Sequence, residues 1–231
     1  MTSATYYLTP NAAGTAFTGT GYTPDGTIPK GAIPCTQEQA QNFQAYVPSN
    51  GEIVAAPDAV LLAQAQATQK SLVTTGYNTA TDYIPVTING TTYQVDNTAG
   101  KQALNLSLAI TANAMMQAPA WAASTEYTAG AYCNVGGVIL FCSTPGKSGS
   151  SAPTAPTTFG TPVADGTAAW ELLGRKVYLQ GGSFVYMTPQ QIMSAFQQGE
   201  LYLHQMSNQL ESLKAEINAA TTVSAVQTFT F

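Results

Sequence analysis

Catalysis needs partners at defined spacing, and few residues here could provide them. The single histidine, His204, has no second imidazole to share a metal ion and no neighbouring nucleophile to activate. Glu52 with Asp58, and Asp165 with Glu171, are the acid pairs a glycosidase would require, with two carboxyls roughly 5–10 Å apart across a sugar. With 12 acids scattered through 231 residues, such proximity arises by chance, and Asp165-Gly166 reads better as a turn before a strand around Trp170. Cys133 and Cys142 lack the C-x-x-C spacing and the nearby histidine of zinc or thiol chemistry. With Cys35 they make three, which cannot all pair, and a turn at Gly136-Gly137 sets Cys133 beside Leu140 rather than opposite Cys142, so all three are expected reduced. Gly146-Lys147-Ser148-Gly149 looks like the end of a phosphate loop but lacks the upstream glycine and lies in a Pro-rich stretch.

The aromatic set Trp121, Tyr127, Tyr132, Phe141 and Trp170 carries two readings. Flat rings with polar edges can stack on sugars. The same rings can fill the interior of a small module that has few Leu or Ile, and this structural role is the preferred one. No catalytic residue, metal site or cofactor is expected, and the chain reads as a non-enzyme.

Composition narrows the function further. Hydrophobic residues make up 45% of the chain and charged ones only 8%, so there is ample core material under a surface of Thr, Ser, Gln and Asn. A net charge of -5 with seven Lys plus Arg gives no local basic patch for nucleic acid or anionic lipid. No apolar run reaches the roughly 18 residues of a membrane span, so no membrane insertion is expected, and MTSATYYLTPNAAG shows no secretory signal.

Several elements must position these residues. Turn signals at Pro10-Asn11, Pro24-Asp25-Gly26 and Pro48-Ser49-Asn50-Gly51 make residues 1–56 a strand-and-turn region. Thr36 and Gln39 form a capping box for a helix carrying Ala40, Phe43 and Val47, which Pro48 should end. Asp58 opens a helix to about Val73, and Asn89-Gly90 centres a hairpin from Ile84 to Val95. A helix from about Gly100 to Gln117 presents Leu104, Leu108, Thr111 and Met115 on one side until Pro119. Val177–Met187 repeats the hairpin form around Gly181-Gly182, and Thr188-Pro189-Gln190-Gln191 caps a long helix. Behind that cap Ile192, Phe196, Gly199, Leu203, Met206, Leu210, Leu213, Ile217 and Ala220 recur at spacings of four and three, a heptad seam. The seam can pack on the chain's own helices or on copies of itself; self-association is the expectation. Alternation through Val226, Thr228 and Thr230 predicts a terminal strand.

The segment Trp121 to Trp170, with its turn glycines and spaced aromatics, resembles small β-modules of bacteriophage tail proteins and, more distantly, chitin-binding modules of secreted glycosidases. The rest, through IPVTINGTTYQVD, SFVYMTPQQIM and EINAATTVSAVQ, resembles phage tail-associated proteins of unassigned function, and TAFTGTGYTPDGTIPKGAIPCTQEQ is similar to the start of tail-fibre assembly proteins. The expected fold is α+β: a strand-and-turn region for attachment (1–56), helix-hairpin-helix (57–118), an inserted aromatic β-module (119–174), and a hairpin with the heptad helix and terminal strand (175–231). The resemblance implies a structural virion component made in the bacterial cytoplasm, at a tail fibre, tail tip or baseplate. Its partners would be copies of itself, with a trimer favoured, other tail or fibre proteins, and a host-surface glycan. The alternatives are a fibre-assembly chaperone and a glycan-binding adhesin.

Overall fold

The computed structural model describes residues 4–231. In chain order the elements are β1 (Thr5–Pro10), β2 (Phe17–Thr23), β3 (Ile33–Cys35), α1 (Gln37–Gln41), β4 (Tyr46–Ser49), β5 (Glu52–Ala55), α2 (Asp58–Thr81), β6 (Tyr83–Ile88), β7 (Thr91–Asp96) and α3 (Ala99–Met115). Then come β8 (Glu126–Tyr127), β9 (Tyr132–Val135), β10 (Val138–Thr144), β11 (Gly146–Lys147), β12 (Val163–Asp165), β13 (Ala168–Leu172), β14 (Arg175–Tyr178), β15 (Phe184–Met187), α4 (Pro189–Ala219) and α5 (Val223–Val226). All sheets are small and antiparallel, so the fold class is α+β as expected.

The chain divides into two compact units, one made of the residues through Thr74 together with Ser212–Phe231, the other Thr75–Glu211. In the first, β2-β1-β3 form a three-stranded sheet with Leu8 fully buried. Thr36 caps α1 through the reciprocal Gln39 bond. That helix stops at Gln41, short of the expected Val47, because Asn50 and Gly51 take positive φ and close a hairpin that draws Tyr46–Ser49 into a ladder with β5. Pro48 therefore lies within a strand instead of ending a helix; in a two-stranded antiparallel ribbon alternate residues point their backbone groups away from the partner, and both strands are edges, where proline is tolerated. The expected terminal strand is absent. The Thr222 hydroxyl accepts from Ala225 N at 3.2 Å, and Val226 turns inward from the short helix α5. A side-chain cap here outweighs a weak period-two pattern. Val73, Ile217 and Val226 are fully buried, and the Gln66 amide donates to the Ile217, Asn218 and Ala220 carbonyls, covering the orphan oxygens at the end of α4.

The second unit is built around the β6–β7 hairpin, whose Asn89-Gly90 turn takes the two positive φ values that the dipeptide predicts. Ile84, Val86, Ile88 and Val95 from that hairpin meet Val177, Met187, Ile192 and Ala112 in one core. Polar latches hold α4 to it. The Gln198 amide both accepts from Thr87 N at 2.8 Å and donates to Thr87 O at 3.1 Å, as a neighbouring strand would, and Tyr202 Oη donates to Ala80 O at 3.0 Å. The strands β12-β13-β10-β9 form a four-stranded sheet that meets α3 through Met115, Ile139 and Leu173. Gln190 at the start of α4 donates to Gly137 O in the β9–β10 turn.

The heptad seam faces the chain's own interior along much of its length. Ile192, Leu210 and Ile217 are buried, while Phe196, Leu203, Met206 and Leu213 are partly so. Ile217→Ala is therefore expected to lower the unfolding free energy by about 2–5 kcal/mol. In urea denaturation this loss should not depend on protein concentration; a concentration-dependent loss would place the seam between copies. Leu201→Ala, on the exposed side, should change stability by no more than about 0.5 kcal/mol.

Candidate functional site

The five module aromatics and Asp165 belong to one arrangement. Asp165 ends β12, and its carboxylate is buried. Trp121 Nε1 and Trp170 Nε1 donate to the same oxygen, Oδ2, at 2.7 and 2.8 Å, and Gly149 N donates to Oδ1 at 2.7 Å. A buried carboxylate without a cation is stable only if such donors replace water, and here three do. Gly166 follows with φ +64, and a Cβ there would lie 2.4 Å from Lys147 O, so the Asp-Gly turn needs its glycine for close approach as well as for conformation. Asp165 is thus both the turn residue that its sequence suggests and the hydrogen-bonding centre of the module, and nothing in the Asp-Gly spacing announces the second role.

Trp170 has 0% of its surface exposed and meets Tyr127 edge to face, with ring centroids 4.7 Å apart at 78°. Its faces belong to the core with Cys133, Leu140, Cys142 and Leu172. Trp121 and Tyr127 are half-buried against the same cluster, with Ala122 N donating to Tyr127 Oη at 2.9 Å. Phe141 packs on the Met115, Ile139 and Leu173 cluster, and Tyr132, its cross-strand partner, is the most exposed of the five. The set therefore comes together, but as an interior with one open ring.

The Gly146–Gly149 segment cannot cradle phosphate. Lys147 N donates to Thr167 Oγ1 at 2.8 Å, Ser148 N to Thr125 O at 2.9 Å and Gly149 N to the Asp165 carboxylate, so its donors are already used and one faces a negative charge. Ser148, buried, donates through its hydroxyl to Ala122 O at 2.7 Å and accepts from Thr125 N at 2.9 Å. Cys133 pairs with Leu140 across the hairpin, as the turn position implies, and the three thiols are free. His204 lies exposed on α4, as do Glu52 on β5 and Asp58 at the start of α2; Glu171, on β13, opposes Phe141. Among the described residues no group of three His, Cys, Asp or Glu is placed to hold a metal ion, and no helix is long and apolar enough to cross a membrane.

Two surfaces of the second unit went unread in the sequence. One is a cleft of about 450 Å³ with Ile84 and Val95 in its floor and Leu106, Phe196 and Leu203 among its walls. Leu106 and Ile110, on α3, are 51% and 63% exposed. The signal was present: Leu104, Leu106, Leu108 and Ile110 spread around a helix that has only one face to bury. The other is an aromatic face on β15, where Phe184 and Tyr186 alternate outward while Val185 packs on the core and Met187 is buried in it.

No family model matches the sequence, and no curated protein or solved structure matches it either.

Two outcomes follow from the module's geometry. Asp165→Asn would turn an amide donor toward groups that are themselves donors, and is expected to cost about 3 kcal/mol; near-ultraviolet circular dichroism and tryptophan fluorescence report it, and an unperturbed melt would show the clamp to be dispensable. Burial, then the Asp165 carboxylate and Cys142, push the Cys133 thiol from 9.0 up to about 12. The unfolded chain releases that proton near 9.0 and the folded one only near 12, so the contribution is whole below 9.0 and is lost as pH rises to about 12. Stability should fall by up to about 1.4 kcal/mol per pH unit in that window. Cys133→Ala should flatten this slope in alkaline urea titrations, and an unaltered slope would assign it to other groups.

Proposed function

We propose that the chain is a non-enzymatic structural component of a phage virion tail, at the fibre, tip or baseplate, working as a homo-oligomer with a share in host-surface attachment. The observation that carries the assembly part is the cleft between α3 and α4 together with the exposed Leu106 and Ile110 beside it. An apolar cleft flanked by exposed aliphatic side chains on an exterior with few charges is characteristic of a face that another protein covers. The virion setting rests on the resemblance: IPVTINGTTYQVD forms the β6–β7 hairpin, SFVYMTPQQIM forms β15 and the start of α4, and EINAATTVSAVQ ends α4 and makes α5.

Self-association in this reading runs through the cleft and α3 and leaves much of the heptad seam to the chain's own core. The buried carboxylate, the free thiols and the lone histidine have no part in it. A trimer is the favoured state.

Native mass spectrometry should give an oligomer that the double change Leu106→Glu with Ile110→Glu reduces to monomer with an unaltered far-ultraviolet circular dichroism spectrum, since both side chains are largely exposed in the single chain. The melting temperature should fall only by the concentration-dependent share that association supplies. A monomeric wild-type chain at micromolar concentration would overturn the self-association. Proteomics of purified particles should find the protein at a small multiple of three; absence from particles would overturn the virion assignment and favour an assembly chaperone.

A further inference from the structure

We propose that the outward face of the β14–β15 hairpin is a contact platform for an acidic saccharide, a proposal that rests on the attachment role above for its setting and names the ligand class. Along these strands Val177 and Met187 are buried in the core and Val185 packs against it. Lys176, Tyr178, Phe184 and Tyr186 alternate to the other side, with Lys176 opposite Tyr186 and Tyr178 opposite Phe184. A two-stranded ribbon with one face in the core usually carries polar residues on the other. Here Phe184 and Tyr186 remain 46% and 44% exposed.

The rings are held in place before any ligand arrives. Phe184 and Tyr186 meet edge to face at 5.7 Å, and Phe159 extends the set, 5.6 Å from Tyr186 at a tilt of 38°. Phe159 lies flush on Gly174, where a Cβ would fall 2.4 Å from its ring, so the absent side chain fixes where that aromatic sits. Preset rings give up little conformational entropy on binding. Sugars present apolar C–H faces and hydroxyl edges, which suit flat rings and a phenol.

Charge sets the class of sugar. The chain carries -5 overall with only seven Lys plus Arg, yet two of its ammonium groups converge here. Lys176 Nζ lies 4.3 Å from the Phe184 ring centroid and 5.9 Å from that of Tyr186, and Lys101 Nζ lies 4.0 Å over Tyr178. Among the described residues neither has a carboxylate within 4.0 Å, so the positive field is left for an outside anion. A saccharide bearing carboxylates satisfies rings and ammonium groups together. Single-stranded nucleic acid also stacks on aromatics, but its affinity comes from neutralising many phosphates, and two lysines on an acidic chain neutralise few.

The test uses the full chain with polygalacturonate, neutral dextran and a thymidine oligonucleotide in calorimetric titrations. Polygalacturonate should bind, more weakly as salt rises, and dextran less well. Tyr186→Ala should weaken polygalacturonate binding about tenfold. Lys176→Gln, a change at an exposed head group that keeps the fold, should weaken it about threefold and leave dextran unchanged. No binding of polygalacturonate, equal binding by both variants, or binding of the oligonucleotide in its place would each overturn the platform. Particle proteomics separates this from the tail assignment: a virion protein that binds no acidic sugar loses the platform alone, and a binder absent from particles loses the tail setting alone.

Discussion

Much of the second unit depends on where one buried carboxylate finds its donors. Asp165 accepts from two indoles and one backbone amide contributed by three separated stretches of chain, at Trp121, Gly149 and Trp170. In a low-dielectric interior each of these bonds is stronger than in water, and the loss of any one leaves the buried carboxylate with two donors where it had three. Holding Trp170 fixes β13, β13 orders β10 and β12 on either side, and β10 carries Ile139 to Met115 of α3. The module is thereby joined to the helices of its unit through packing, and through Gln190 reaching Gly137.

The same chain does almost everything else with neutral groups. Gln66, Gln198, Asn97, Asn105 and Ser148 each bond to backbone, repeatedly completing a helix end or a strand edge. Neutral amides carry a smaller desolvation cost than ions and lose nothing to screening, so such a fold holds with only 8% charged residues. A surface with few charges also has few means of excluding wrong partners electrostatically, so the places where charge does gather, as Lys101 and Lys176 do beside the rings of β14–β15, stand out against it.

Local signals with a single physical cause were legible in the sequence. Asn89-Gly90 admits positive φ at both positions, Thr36 with Gln39 satisfies two orphan donors at once, Thr188-Pro189 starts α4, and the Gly136-Gly137 turn puts Cys133 opposite Leu140. Where two causes competed, the pattern misled. Phe43 and Val47 fit a helix until the Asn50-Gly51 hairpin took Tyr46–Ser49, and the alternation at Val226–Thr230 gave way to the Thr222 cap. The Asp165 clamp was out of reach for a different reason: its donors lie 44, 16 and 5 residues away, and no spacing rule links an acid to indoles that only the folded sheet assembles.

That difference bears on how aromatic residues should be read in a chain of this composition. Trp121 and Trp170 attract attention as a sugar platform because they are large and few, yet an indole brings an N–H that must be satisfied once buried, and Asp165 does so. Phe184 and Tyr186 sit in an ordinary hairpin and show nothing unusual by type. Their position decides it: a two-stranded ribbon whose other face already contributes Val177 and Met187 to the core has no remaining layer to bury them against. Exposure is then set by topology, and a ring that topology keeps at the surface, with an ammonium beside it, remains open to a ligand in a way that a buried tryptophan cannot.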